Sequence, residues 1–75
     1  DERKFEIVQK IADYFARTHE VITIDGARII FENGWGLVRA SNTQAILVLR
    51  FEADSEENLR QIRETVESRV KHFIR

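Results

Sequence analysis

The residues best suited to chemistry form one short run, Arg39, Ala40, Ser41, Asn42 and Thr43. All except the alanine have side chains that donate hydrogen bonds, and no carboxylate lies in the run. Arginine presents a rigid fork of N–H donors that matches phosphate or carboxylate oxygens, and hydroxyl and amide groups add shorter donors. Backbone N–H groups in a tight turn can converge on an anion as well. The run therefore predicts an anion-binding loop.

The same run also fits an ordinary solvated turn, because Ser, Asn and Thr often hydrogen-bond their own backbone in turns. The residue types alone leave both interpretations open. A nucleophilic role for Ser41 is disfavoured, because a serine nucleophile needs a neighbouring base and no histidine is near it in sequence. We assign no residue a catalytic role.

Three residues near the run have more than one interpretation. Arg50 lies in an apolar segment, where we favour an ion pair with Glu52 over support of the anion held by Arg39. Trp35 is interpreted as a core or interface residue rather than a platform for a sugar ring. Gly36 beside it indicates a bulge or a close approach of another backbone.

Metal binding is not predicted. The chain has no cysteine, which removes thiolate ligands and disulfides. His19 is interpreted as a polar loop residue, and His72 as a residue near a helix C-terminus, where its charge suits the helix dipole. Neither histidine has a second ligand at a suitable spacing.

Size and charge limit the partners that we expect. The chain has 75 residues, enough for one domain over residues 1–75. Its 12 basic and 13 acidic residues give a net charge of −1, whereas nucleic-acid binders usually carry a basic excess. The longest apolar run, residues 45–49, is far too short to span a bilayer. We therefore expect neither nucleic acid nor membrane as a partner.

Hydrophobic spacing predicts the elements that position the run. Residues 2–17 show the period of an amphipathic helix. Its apolar stripe comprises Phe5, Val8, Ile11, Ala12 and Phe15, widened by Ile7 and Tyr14. Residues 21–24, 27–32, 35–40 and 45–52 are predicted strands. The dipeptides at residues 25–26 and 33–34, Asp-Gly and Asn-Gly, predict tight hairpins with positive φ at both turn positions.

A second helix follows the last strand. Asp54 or Ser55 is predicted to cap it, and Asp54 with Glu57 resembles a capping box. Its apolar stripe comprises Leu59, Ile62, Val66, Val70 and Phe73. The order α-β-β-β-β-α predicts an α+β fold, with both helices packed on one face of a four-stranded antiparallel sheet.

Residues 34–43, GWGLVRASNT, together with residues 47–53, LVLRFEA, resemble the C-terminal domain of the α-D-phosphohexomutases. The resemblance is closest to the bacterial phosphomannomutase/phosphoglucomutase branch. It implies a fold similar to half of the TATA-box-binding protein, with a first strand before Asp1 that this chain lacks. The phosphate loop of the family maps onto Arg39, Ser41, Asn42 and Thr43. The sequence departs from the family at Gln44 and Ala45, where a proline is common at the second position.

The resemblance also implies an activity. The enzymes of this family are four-domain cytoplasmic proteins that interconvert hexose 6-phosphate and hexose 1-phosphate through a hexose 1,6-bisphosphate. A phosphoserine of the first domain transfers the phosphoryl group, Mg²⁺ is held by the second domain, and the third domain reads the sugar hydroxyls. The fourth domain binds the phosphate that is not being transferred and closes the cleft.

By this resemblance the chain binds a phosphosugar, contacts the other domains of the same enzyme and is inactive in isolation. The alternative is a free-standing module that binds a protein or nucleic acid through the open face of its sheet. The near-neutral charge of the chain disfavours the nucleic acid.

Overall fold

The structure is a computed structural model that describes residues 2–75, with side chains from Arg3 onward. The elements follow in the order α1 (Glu2–Ala16), β1 (Glu20–Ile22), β2 (Ala27–Phe31), β3 (Gly34–Ala40), β4 (Leu47–Ala53) and α2 (Glu56–Ile74). The predicted order and α+β class are confirmed.

The strands form one antiparallel sheet in the order β1-β2-β3-β4. Consecutive strands are neighbours, as short connections require. The register pairs Ile29 of β2 with Gly36 of β3, and Val38 of β3 with Leu49 of β4. The edges of this sheet are β1 and β4.

The two faces of the sheet differ because side chains alternate along each strand. Ala27 and Ile29 are completely buried under the helices, whereas Arg28 projects from the opposite face, called here the open face. The core also takes Val38 from β3 and Val66 from α2, so both helices pack on one face, as predicted. No polar or charged residue is buried in the described part of the chain.

Helix α1 begins and ends within one residue of the prediction, and its predicted apolar stripe faces the core except at Phe5. Ile11 and Phe15 are buried, and Ile7 is 6% exposed. Phe5, assigned to the stripe from the sequence, is 55% exposed. Phe5 lies two residues before Ile7, and two residues of a helix span roughly 200° of rotation. Phe5 and Ile7 therefore cannot both face the sheet.

The turn predictions were wrong in conformation. The connection of β1 and β2 occupies residues 23–26, and Ile24, predicted to end the strand, is 92% exposed there. Gly26 has φ 92°, but Asp25 does not have a positive φ. The second hairpin turns at Glu32 and Asn33, one residue earlier than predicted, because Phe31 pairs with Gly34. No non-glycine residue in residues 2–75 has a positive φ.

Helix α2 is capped by Ser55, one of the two predicted candidates. The Ser55 hydroxyl accepts a hydrogen bond from the backbone N–H of Asn58 at 3.1 Å. The capping box of Asp54 and Glu57 does not form, because the helix begins one residue later than that motif requires. Glu57 instead accepts hydrogen bonds from Arg60 at 2.6 Å and Gln61 at 3.0 Å, which lower the pKa of its carboxyl.

Surface ion pairs join residues one turn apart on α2. Arg60 and Glu64 lie 3.5 Å apart, as expected for residues one turn apart. Glu67 pairs with Arg63 at 3.1 Å, toward the preceding turn rather than toward Lys71. No helix in the described part of the chain has both the length and the apolar composition needed to cross a bilayer.

Candidate functional site

The loop that joins β3 to β4 occupies residues 41–46 and is closed at its base by the backbone. The Ser41 N–H donates to the Ile46 carbonyl at 3.1 Å. The Ser41 hydroxyl oxygen accepts hydrogen bonds from the N–H groups of Thr43 at 3.3 Å and Gln44 at 3.2 Å. The second interpretation of the run, a turn in which side chains hydrogen-bond the nearby backbone, therefore holds for Ser41. Its hydroxyl hydrogen is still able to donate to a ligand.

Arg39 is the second-last residue of β3 and is half-buried on the open face. Val48 is its partner across the sheet, and Ala40 beside it is buried toward the helices. The guanidinium of Arg39 makes no hydrogen bond or ion pair with the residues that the structure describes. Its donors are therefore not used to hold the described fold together.

Asn42 and Thr43 lie in the exposed part of the loop, which extends over residues 42–46. Within residues 2–75, the side-chain amide of Asn42 and the hydroxyl of Thr43 have no hydrogen-bond partner. Both groups are donors of the kind that a phosphate oxygen accepts. The loop can therefore present them to an anion without first breaking a bond of its own.

A cleft of about 310 Å³ lies beside the loop. Arg39 and Asn42 line it, and α1 contributes Phe5 and Gln9. The structure thus brings two of the predicted residues to one cleft. Asp25 of the β1–β2 turn also lines it. Because its carboxylate repels an anion, a phosphate is favoured on the loop side of the cleft.

The sequence reasoning missed Lys4, which contacts the loop from the first turn of α1. Its ammonium donates hydrogen bonds to the backbone carbonyls of Ser41 and of Gln44, the latter at 2.8 Å. Contacts between residues so distant in sequence depend on how α1 packs, which periodicity does not reveal. One signal was present: a lysine at a helix N-terminus is unfavourable to the dipole and so needs a local partner.

Residues 1–69 match the family described as phosphoglucomutase/phosphomannomutase, C-terminal domain. The chain belongs to this family. The resemblance noted from residues 34–43 and 47–53 is therefore confirmed.

Relatives of this mutase domain are whole enzymes. A phosphomannomutase/phosphoglucomutase from Pseudomonas putida is 48% identical over an alignment 73 residues long, and the match covers 93% of this chain and 15% of that protein. A phosphoglucomutase from Neisseria meningitidis serogroup B is 58% identical over 48 residues, 64% of this chain and 10% of that protein. The chain thus spans a small fraction of the proteins that it matches.

A crystal structure shows the same domain within a longer chain. A phosphoglucomutase/phosphomannomutase family protein from Burkholderia thailandensis superposes with a TM-score of 0.69 at 37% sequence identity. The match covers 87% of the mutase domain described here and 16% of that chain. The chain thus corresponds to a small part of each of these longer proteins.

The ion pair predicted in β4 of the mutase domain does not form. Arg50 and Glu52 are both exposed on the open face and make no ion pair with each other. Arg50 lies opposite Leu37, and Val48 lies opposite Arg39. Arg50 is therefore a diagonal neighbour of Arg39, with Cα atoms about 7–8 Å apart in such a pair. Its support of an anion held by Arg39 stays a prediction.

Trp35 was interpreted as a core or interface residue, and the structure shows that it is not in the core. It is half-buried on the open face, and the guanidinium of Arg28 lies 4.4 Å from its ring centroid. The neighbouring Gly36 pairs in regular register with Ile29 and Phe51, so there is no bulge, and the groups that approach it closely are side chains rather than the predicted backbone. A Cβ added there would lie 3.1 Å from Val66 of α2 and 3.2 Å from Phe51, so the glycine lets α2 pack closely on the sheet.

The histidines have packing contacts in the structure. His19 is more than a polar loop residue, because its ring lies 4.7 Å from Phe31 and 5.7 Å from Phe15. His72 is in the last turn of α2, as predicted. In the described part of the chain, no group of three potential ligands is placed to hold a metal ion.

Proposed function

We propose that this chain is the substrate-phosphate-binding domain of a cytoplasmic phosphohexomutase that interconverts hexose 6-phosphate and hexose 1-phosphate. The β3–β4 loop binds the phosphate group that is not being transferred. The observation that carries this proposal is that the Arg39 guanidinium has no partner within residues 2–75, while Arg39 and Asn42 line the same cleft. The family match supplies the reaction class.

The proposed donors suit a substrate that must bind in two orientations. A hexose 1,6-bisphosphate has to turn over so that either end can meet the group that transfers phosphate. A loop that recognises phosphate through Arg39, Asn42 and Thr43 accepts either end, because these donors read only phosphate oxygens. Binding at the remote phosphate then orients the reacting end and lowers the barrier to transfer.

The transfer step belongs to other parts of the proposed enzyme. We assign to this chain no catalytic residue and no ligand of the Mg²⁺ that the family resemblance implies. The metal, when bound elsewhere in the enzyme, supplies charge neutralisation at the transferring phosphate. Movement of this domain over the active-site cleft of the whole enzyme would exclude water from the reacting centre. The isolated chain is expected to be inactive.

The first test measures phosphate binding at the loop. We expect inorganic phosphate or a hexose phosphate to shift the backbone amide NMR signals of Ser41, Asn42 and Thr43 in a saturable manner. An arginine–phosphate contact contributes about 1.5–3 kcal/mol, so Arg39→Ala should weaken binding by roughly ten- to a hundredfold. Arg63→Ala is the matched control, because Arg63 lies on α2 and pairs with Glu67.

The same variant has a kinetic consequence in the full-length mutase. Arg39→Ala should raise KM and lower kcat, since the lost contact holds the substrate both before and during transfer. The dispersed amide spectrum of the folded domain should be retained. Kinetics and phosphate affinity unchanged from the wild type would refute the proposed role of the loop.

The open face supports a second candidate, an interaction module for a protein partner. This face carries Trp35 stacked with Arg28, and Ile22 is 38% exposed near it. Aromatic and arginine side chains are enriched at protein interfaces. Amide shifts spread across this face on addition of a protein, with no response of Ser41 to phosphate, would favour this function over the first.

A further inference from the structure

Lys4 is a cation placed where a helix disfavours one. It lies in the first turn of α1, near the positive end of the helix dipole. Its ammonium donates to the carbonyls of Ser41 and Gln44, which lie on either side of Asn42 and Thr43. Two carbonyl oxygens compensate the unfavourable position of the charge. Lys4 therefore joins α1 to both sides of the β3–β4 loop.

The geometry of the peptide bond shows what this contact does to the loop. In a trans peptide the C=O and the following N–H point in opposite directions. No cis peptide occurs in residues 2–75. Because Lys4 holds the carbonyls of Ser41 and Gln44, the N–H groups of Asn42 and Ala45 point away from the ammonium.

The four backbone N–H groups that follow Ser41 thus divide into two pairs. Those of Thr43 and Gln44 donate to the Ser41 hydroxyl oxygen. Those of Asn42 and Ala45 have no hydrogen-bond partner within the described residues. The second pair is the one that points away from the Lys4 ammonium, and unpaired N–H groups of this kind are ready donors to an anion.

We propose that Lys4 is the positioning residue of the phosphate loop, fixing two loop carbonyls so that the N–H groups of Asn42 and Ala45 serve the phosphate of a sugar monophosphate. This inference rests on the proposed function of the loop. A carbonyl oxygen facing a phosphate repels it, so holding these two carbonyls removes a repulsion and supplies two donors. The Lys4 charge also adds to that of Arg39 in attracting a dianion.

Three variants test this role. Lys4→Met removes the ammonium and keeps most of the side chain, whereas Lys4→Arg keeps a donor to the carbonyls. Lys10→Met is the matched control, because Lys10 lies in the same helix and its ammonium is 3.9 Å from Glu6. Backbone amide shifts and ¹⁵N relaxation of residues 41–46 are measured without ligand and then during titration with inorganic phosphate and hexose 6-phosphate. The amide signals of Ile29 and Val38, both buried, report that the fold is intact.

We expect Lys4→Met to shift and mobilise the amides of Asn42 and Ala45 without ligand and to weaken phosphate binding about tenfold or more, the loss expected for one charge-assisted contact. Lys4→Arg should restore most of the affinity, and Lys10→Met should bind phosphate as the wild type does. A purely structural tether predicts lowered stability with unchanged phosphate affinity.

The outcomes separate this inference from the function on which it rests. If Arg39→Ala loses phosphate binding and Lys4→Met retains it, the positioning role of Lys4 is overturned and the proposed function stands. If the wild-type chain gives no saturable shift with either phosphate, both are overturned. Loss of phosphate binding in both Arg39→Ala and Lys4→Met, with binding restored in Lys4→Arg, supports the positioning role of Lys4 and the proposed function of the loop.

Discussion

Gly26 lies where the β1–β2 turn meets the end of β3. Its φ is 92°, a conformation that residues with a side chain rarely adopt. A Cβ at this position would lie 2.5 Å from the Val38 carbonyl oxygen and 3.0 Å from the Arg39 Cα. Any larger residue would therefore strain its own backbone and push on the strand that carries Arg39.

Gly26→Ala is expected to destabilise the fold by about 1–3 kcal/mol, the range for a residue held in a sparsely populated conformation. Urea denaturation followed by circular dichroism measures this loss. Thr23→Ala is the control in the same turn, and as an exposed substitution it should change stability by less than about 0.5 kcal/mol. Equal stability of the two variants would show that β3 moves away from the added methyl group without loss.

The site residues differ in how far the sequence predicts them. The donors of Arg39, Asn42 and Thr43 are visible as residue types, because chemistry at a single loop is local. Lys4 is not, because its role depends on the packing of α1 against a loop far along the chain. Arg50 and Glu52 show the limit of local reasoning. The alternation of side chains along β4 places both on one face, as predicted, but proximity on an exposed strand does not ensure an ion pair.

At the scale of elements, the N-terminus of α2 offers a direct test of capping. Ser55 accepts the Asn58 N–H, whereas Asp54 accepts only the Asn58 side-chain amide, at 2.6 Å. Ser55→Ala should destabilise the protein by about 1 kcal/mol, as loss of an N-cap does. Asp54→Ala should destabilise the protein by only about 0.2–0.5 kcal/mol, the contribution of an exposed side-chain pair on a helix.

Thermal unfolding of the two variants measures the difference. A greater loss in Asp54→Ala would mean that the helix begins one residue earlier and that the capping box with Glu57 forms after all.

Element type was predictable, but boundaries and turns were not. The hydrophobic period of 3.6 residues identifies α1 as a helix, and the alternation of residues identifies β2 as a strand. Both patterns arise because one side of each element is buried along its length. Ile24 is β-branched and apolar, so residue type favoured a strand there, yet it lies in the turn. Its position follows from the pairing of Ile22 with Arg28, which leaves the five residues 23–27 to reverse the chain.

For the whole molecule, stability depends on a small core between one sheet face and two helices. Phe15 is 2% exposed and is among the largest fully buried side chains. Phe15→Ala should destabilise the fold by about 3–5 kcal/mol. A domain of this size has a total stability of only about 4–11 kcal/mol, so the variant should be partly unfolded near physiological temperature.

Phe5→Ala removes the same ring from the same helix and is the matched control, because Phe5 is 55% exposed. Differential scanning calorimetry should show a large fall in Tm for Phe15→Ala and a small one for Phe5→Ala. Similar falls in both variants would place Phe5 in the core and contradict the observed orientation of α1.

The outer edge of β4 has a consequence for how the chain behaves at high concentration. β4 extends over Leu47–Ala53 and pairs with β3, and no other strand in the described part of the chain lies beside it. A row of backbone groups at such an edge is a template on which an extended segment, including one from a second copy, can add a strand. A lysine or proline introduced along this edge would oppose such aggregation without touching the phosphate loop.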